Sequence, residues 1–224
     1  MARLSQQDHE RVTAAVTAAE RNSDGEIVTI VSDRSDSYHD VATQYGVLAM
    51  LLVPAKIALL PQAWIDWAAS LFLGWNAHFS RAELMVALFA LLALAFLLAR
   101  LILRYMPLRM ALTPGKAKTR RVHRRAVELF RASCERKTRG RTGVLLYLSL
   151  LERRAEIVAD KAIADQVEAD AWGEAMDLLI DEVKAGRAGE GMALAVEKIG
   201  EVLARILPKT LADDNELPDR LVEI

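Results

Sequence analysis

Four aspartates form the side-chain set in this chain best suited to chemistry. Asp33 and Asp36 bracket Arg34 and Ser35 directly after a β-branched run, and Asp160 and Asp165 follow a later apolar run. Carboxylate oxygens are hard ligands that suit Ca²⁺ or Mg²⁺, and ligands in α/β sheets gather at strand ends. The sequence therefore offers a candidate divalent-cation site of Asp33, Asp36, Asp160 and Asp165. The competing reading is a solvated loop in which Asp36 or Asp40 caps the helix that follows.

Other catalytic patterns are missing. A phosphatase needs a nucleophile or a metal-activated water. Cys134 is followed by Arg139 and Arg141, but the five-residue spacing of a cysteine phosphatase would put arginine where Gly140 stands. Two aspartates one residue apart after a strand, the aspartate-nucleophile pattern, do not occur, since Asp33 and Asp36 are three positions apart. His9, His39, His78 and His123 are scattered, without a metalloprotease pair, and there is no phosphate-binding or dinucleotide glycine loop. One cysteine excludes an internal disulfide and a four-cysteine metal site.

Several elements must position these groups. Ser5-Gln6-Gln7-Asp8 resembles a capping box, and Val12, Ala15, Val16 and Ala19 then share a helix face. Asn22-Ser23-Asp24-Gly25 stops that helix, with glycine expected in the left-handed conformation. Glu26–Ser32 reads as a strand apolar on both faces, hence one covered on both faces. Val122, Ala126, Leu129, Phe130 and Ser133 mark another helix. Thr142–Leu150 and Ala155–Ala159 read as an antiparallel hairpin. Trp172, Ala175, Met176, Leu179 and Val183 line a helix ended by Gly186. Met192, Val196, Ile199, Leu203 and Ile206 line the last, ended by Pro208.

The apolar residues are unevenly spread. Hydrophobic residues make up 53% and mean hydropathy is +0.15, although 26% of residues are charged. Leu84–Leu103 is apolar all round apart from Arg100, and twenty helical residues match the ~30 Å hydrocarbon thickness of a bilayer. Val41–Leu60 is a second candidate span, interrupted by Gln44, Pro54 and Lys56. Between them lie Trp64, Trp67 and Trp75, suited to an amphipathic connector at the membrane interface. After the second span come Arg104, Arg109, Lys116, Lys118, Arg120, Arg121, Arg124 and Arg125, with no acid before Glu128. The positive-inside rule places this side in the cytoplasm, where Arg104–Arg125 can meet anionic lipid headgroups. The formal net charge of −1 argues against a dedicated nucleic-acid binder. The first forty residues contain no apolar run of the kind a cleavable signal needs.

The opening helix and strand are too short to bury a strand alone, so they must pack with the later half, and an even number of crossings must separate the two. The organisation expected is a layered α/β/α domain interrupted by a two-helix transmembrane hairpin. Its parts are 1–40, a membrane insert at 41–106, the remainder of the domain at 107–212, and a polar tail at 213–224.

That order of elements resembles the TPM-domain family, once called DUF477. The resemblance rests on Gly25-Glu26-Ile27-Val28, on Gly143-Val144-Leu145-Leu146-Tyr147-Leu148-Ser149, on Glu152 to Asp160, and on the spaced Gly186 and Gly191. It covers roughly residues 5–32 and 115–207. Family members include thylakoid proteins of photosystem repair described as acid phosphatases, accessory proteins of membrane receptors, and proteins binding calcium at an acidic rim. Two departures stand out: many members carry an N-terminal signal, and the plainer ones have Gly-Tyr-Gly where this chain has Asp160-Lys161-Ala162. The resemblance implies a membrane-anchored accessory module that binds another membrane protein or a divalent ion, with a metal-dependent phosphatase or other hydrolase as the alternative.

Overall fold

The computed structural model describes residues 4–73, 80–134, 142–167, 171–210 and 219–224. Trp75, His78, Arg139, Gly140, Arg141 and the first half of the tail, 213–218, lie outside them. The chain divides into two units, one of 1–37 with 115–224 and one of 38–114.

In the first unit, Ser5 accepts the amide of Asp8 while the Asp8 carboxylate accepts the amide of Ser5. This closes the capping box that starts α1 (Gln6–Glu20). Strand β1 (Glu26–Ser32) follows. After the second unit come α6 (Gly115–Ser133), β2 (Gly143–Ser149) and β3 (Arg154–Ala159). The short α7 (Lys161–Ala164), then α8 (Gly173–Lys184), α9 (Ala188–Ile206) and β4 (Val222–Glu223) complete it. The four strands form one mixed sheet in the order β3-β2-β1-β4. β1 is parallel to β2 and β4, and β2 is antiparallel to β3.

Strand alternation divides the core. Ile27, Val31, Val144, Leu146 and Leu148 pack with Val12 and Val16 of α1, Leu179 of α8 and Ile199 and Leu203 of α9. On the opposite face, Val28, Ile30, Leu145 and Tyr147 meet Val122, Ala126 and Phe130 of α6 and the buried Cys134. Gly186 ends α8 at φ 82°. Gly25, expected to be left-handed, is not. Its amide bonds Ser23 Oγ at 2.9 Å, and a side chain there would come within 3.0 Å of Leu203.

In the second unit, α2 (His39–Leu59), α3 (Gln62–Leu73), α4 (Arg81–Ile102) and α5 (Met106–Leu112) follow one another. α2 packs on α4, where a side chain at Gly46 would lie 2.9 Å from the Phe96 ring. The Arg100 stem also approaches Gly46, and its guanidinium stands 5.9 Å from the centre of the Phe96 ring. Both helices are long and apolar enough to cross a membrane. Residues 107–112, assigned by sequence to the domain after the insert, belong with the hairpin instead. Met110 packs against Tyr38 and Val41, and Tyr45 donates to the carbonyl of Leu112 at 3.1 Å. The tail assigned as merely polar also supplies β4 and the buried Leu221.

Candidate functional site

The loop leaving β1 is held from three sides. Asp36 Oδ2 accepts from Arg121 at 3.2 Å and from Arg124 at 3.1 Å, both on α6. The Ser35 amide donates to Glu152 Oε1 at 2.9 Å, and Ser35 Oγ lies 3.0 Å from the Tyr147 hydroxyl. Glu152 is buried, and its other oxygen accepts from Ser149 Oγ. The Leu151 amide bonds the Asp33 carbonyl at 2.9 Å. One buried carboxylate thus ties the end of β2 to the loop after β1, and two guanidiniums neutralise Asp36. Neither Asp36 nor Asp40 is the cap of the next helix. The residue preceding α2 is Tyr38, at φ 53° and without a side-chain cap.

The strand register corrects the four-aspartate site. Ser32 pairs with Ser149, so Asp33 and Asp36 follow the end of β1 that lies beside the end of β2. β3 runs back from there, and its last residue, Ala159, pairs with Val144, which in turn pairs with Ile27. Asp160 therefore lies at the opposite end of the sheet, about 20 Å away at ~3.3 Å per strand residue. There it is buried, its Oδ2 accepts the amide of Gly143 at 3.0 Å, and its carbonyl accepts the amides of Ile163 and Ala164. Asp165 is exposed at the end of α7. Asp33 and Asp36 are not joined by Asp160 and Asp165. Among the described residues no three His, Cys, Asp or Glu side chains converge on a metal position.

Two histidines, His9 and His123, link elements. His9 Nε2 lies 3.1 Å from Glu223 Oε1, and His123 Nδ1 lies 2.7 Å from Glu156 Oε1. Cys134, fully buried in the α6 core, fills space beside Gly143.

The sequence reading missed Glu20, the most perturbed group among the described residues. It ends α1 on the same face as Val12 and Val16 and is buried. Its Oε1 accepts the amide of Ile27 at 2.8 Å, and its carboxyl faces that of Asp219. Burial pushes this carboxyl up to about 8, the Ile27 amide opposes the shift, and the neighbouring Glu26 and Asp219 add to it. The signal was present at the i+4 spacing of Val12, Val16 and Glu20, which puts a carboxyl on the buried stripe.

No family model matches this chain, and no curated protein matches it. Among solved structures it is similar to the NMR structure of BA42 protein from the psychrophilic bacterium Bizionia argentinensis. The identity is 17% and the TM-score 0.56, over 99% of this chain and 95% of that one. A likeness at this identity concerns the fold: the chain is a mixed α/β protein, mostly helical, with a four-stranded mixed sheet and two helices apolar enough to span a membrane.

Proposed function

We propose that the chain is an integral membrane protein of the plasma (inner) membrane whose α/β unit is a cytoplasmic accessory module of the TPM type, serving another membrane protein. The observation that supports the membrane reading is where the apolar surface lies. A core helix of a soluble protein is buried, yet none of the most apolar stretch of α4 is, and Phe89, Val86 and Leu101 are 73%, 69% and 63% exposed. Apolar patches of that extent on a soluble monomer are rare because water opposes them. The exposed Trp64 and Trp67 of α3, in edge-to-face contact at 6.3 Å, fit an interfacial position between the spans.

Charge supports the orientation. The outward face of α6 carries Lys116, Lys118 and Arg120 besides the arginines that hold Asp36, and this basic run follows the second apolar helix in sequence. Anionic headgroups are its natural counter-surface, each basic residue contributing about 1 kcal/mol near such a membrane. The loop after β1 is also held in place, Ser35 by Glu152 and Tyr147 and Asp36 by Arg121 and Arg124, as a structural turn would be. Fractionation and reporter fusions test the proposal. The protein should stay in the membrane pellet through high salt and alkaline carbonate. A reporter active only outside the cytoplasm should be silent at Ile224 and active at Asn76. Release into the supernatant would remove the membrane reading, and inverted reporters would remove the orientation. Metal-dependent turnover of a phosphate ester, lost in Asp33→Asn and Asp36→Asn, would favour a hydrolase over an accessory module.

A further inference from the structure

The outer edge of β1 is closed in an unusual way. Backbone groups of successive strand residues point alternately to the two neighbours. Glu26 donates its amide to Thr142, and Ser32 accepts the amide of Leu150, so the even-numbered residues serve the β2 side. The odd-numbered residues face the other way. There Val31 accepts the amide of Ile224 from β4 at 3.0 Å, while Ile27 donates to the Glu20 carboxyl. β4 supplies only two paired residues, opposite Ile30 and Val31. The rest of its hold comes from side chains. Leu221 is buried in the core, and Thr17 Oγ1 donates to Asp219 Oδ2 at 2.7 Å. Glu223 accepts the amide of Leu4 at 3.2 Å and stands beside His9.

Docking this segment brings Asp219 against Glu20, which already faces Glu26. The charged groups acting on Glu20 from β1 and from the tail are therefore both acids. One Glu20 oxygen is spent on Ile27, and a protonated Glu20 can donate to the Asp219 carboxylate. Two ionised carboxylates in such a place repel, and a buried unpaired charge is costly, whereas a neutral Glu20 removes both penalties. We propose that residues 219–224 are a latch over the open edge of β1, and that the latch closes with Glu20 protonated and opens as Glu20 gives up its proton.

The sign follows from linkage. The closed state holds one proton that the open state, with Glu20 hydrated and parted from Asp219, releases in the ordinary carboxylate range. The opening constant should therefore rise by up to tenfold for each pH unit above that range, until the closed-state carboxyl itself ionises. The test is hydrogen exchange by mass spectrometry on the full chain in detergent, corrected for intrinsic exchange rates. Protection of the 219–224 peptide should fall by up to 100-fold between pH 5.5 and 7.5. In Glu20→Gln, which keeps an acceptor for Ile27, the part of the dependence due to Glu20 should be lost. The His9–Glu223 contact is common to both proteins and cancels in the comparison. Asp219→Asn, which can still accept from Thr17, should keep the peptide more protected at pH 7.5. A wild-type tail whose protection is independent of pH would overturn the latch, and so would an undiminished pH slope in Glu20→Gln or a tail no better protected at pH 7.5 in Asp219→Asn.

Discussion

Replacing Gly200 with alanine sets helix propensity against packing, and the distances decide between them. In an exposed helix interior the change is favourable by about 1 kcal/mol, because alanine has less backbone freedom to lose. Gly200, however, lies where α9 crosses α1. A Cβ there would stand 2.6 Å from the Ala19 Cβ and 3.2 Å from its Cα. Carbon atoms sit comfortably at about 3.5–4.0 Å, so the helices must part by roughly 1 Å. The second of these contacts is backbone, which no rotamer change relieves. Parting the helices loosens Val12, Ala15 and Val16 against α9, and a gap of that size forfeits up to about half of each contact's attraction. Overpacking of this kind costs about 1–3 kcal/mol, so after the propensity gain a net loss of up to about 2 kcal/mol is expected. Exchange of the Leu145 and Leu146 amides, buried in the central strand, reads this as a loss of protection of up to roughly 30-fold. Gly173→Ala, with nothing within 4 Å of the new atom, is the control and should not lower protection. Ala19→Gly should restore much of the loss in the double variant. If Gly200→Ala is as well protected as wild type, the close approach of α1 and α9 does not control stability here, and the reasoning fails.

Other outcomes follow from the same geometry. Asp36→Asn should loosen the loop after β1 by about 1–2 kcal/mol, because Arg121 loses a partly buried anion while the exposed Arg124 adds little; faster exchange at Leu151 is the readout. Arg153→Gly should stabilise the first unit by about 0.5–1 kcal/mol in a denaturant titration, since Arg153 holds φ 50°, which glycine adopts without strain. The raised carboxyl of Glu20 makes global stability fall as pH climbs from the ordinary value of 4.5 to about 8 and level off above. At ~1.4 kcal/mol per pH unit, Glu20→Gln should abolish a penalty of up to about 5 kcal/mol at pH 8. Replacing Tyr38–Pro114 with a short Gly-Ser linker should leave β2 protected, because the two units have separate cores.

What could be read from the sequence was local. The capping box at Ser5 involves residues three apart, the apolar run of α4 is continuous, and β1, β2 and β3 are rich in branched and apolar residues. Each is specified by its own neighbours. β4 escaped notice because two residues carry no period. Glu20 escaped because its meaning depends on Asp219, 199 positions away, and on burial that the tail completes. The four-aspartate site failed for a geometric reason. A hairpin returns the chain to the end of the sheet it came from, so a loop after β3 cannot meet a loop after β1 when β1 and β2 are parallel. The same lesson applies to Gly25, where the need for glycine came from Leu203 across the core rather than from a left-handed turn.

Interrupting an α/β core with a long insert asks how two distant chain segments stay together, and the entropy involved is modest. Loop closure grows only with the logarithm of length, about 0.6 kcal/mol per doubling, so inserting Tyr38–Pro114 in place of a ten-residue connection costs about 2 kcal/mol. Even that is an upper figure, because the insert closes itself. Met110 packs on Tyr38 and Val41, and Tyr45 reaches the Leu112 carbonyl, so its two ends are tied within the insert itself. On the other side of each junction, Asp36, one residue before the last of the opening segment, is bound to Arg121 and Arg124 in the first turns of the segment that resumes at Gly115. Both units thus hold their own ends. An ion pair that looks, from composition alone, like a scrap of surface charge is placed where it offsets the remaining entropy of the interruption.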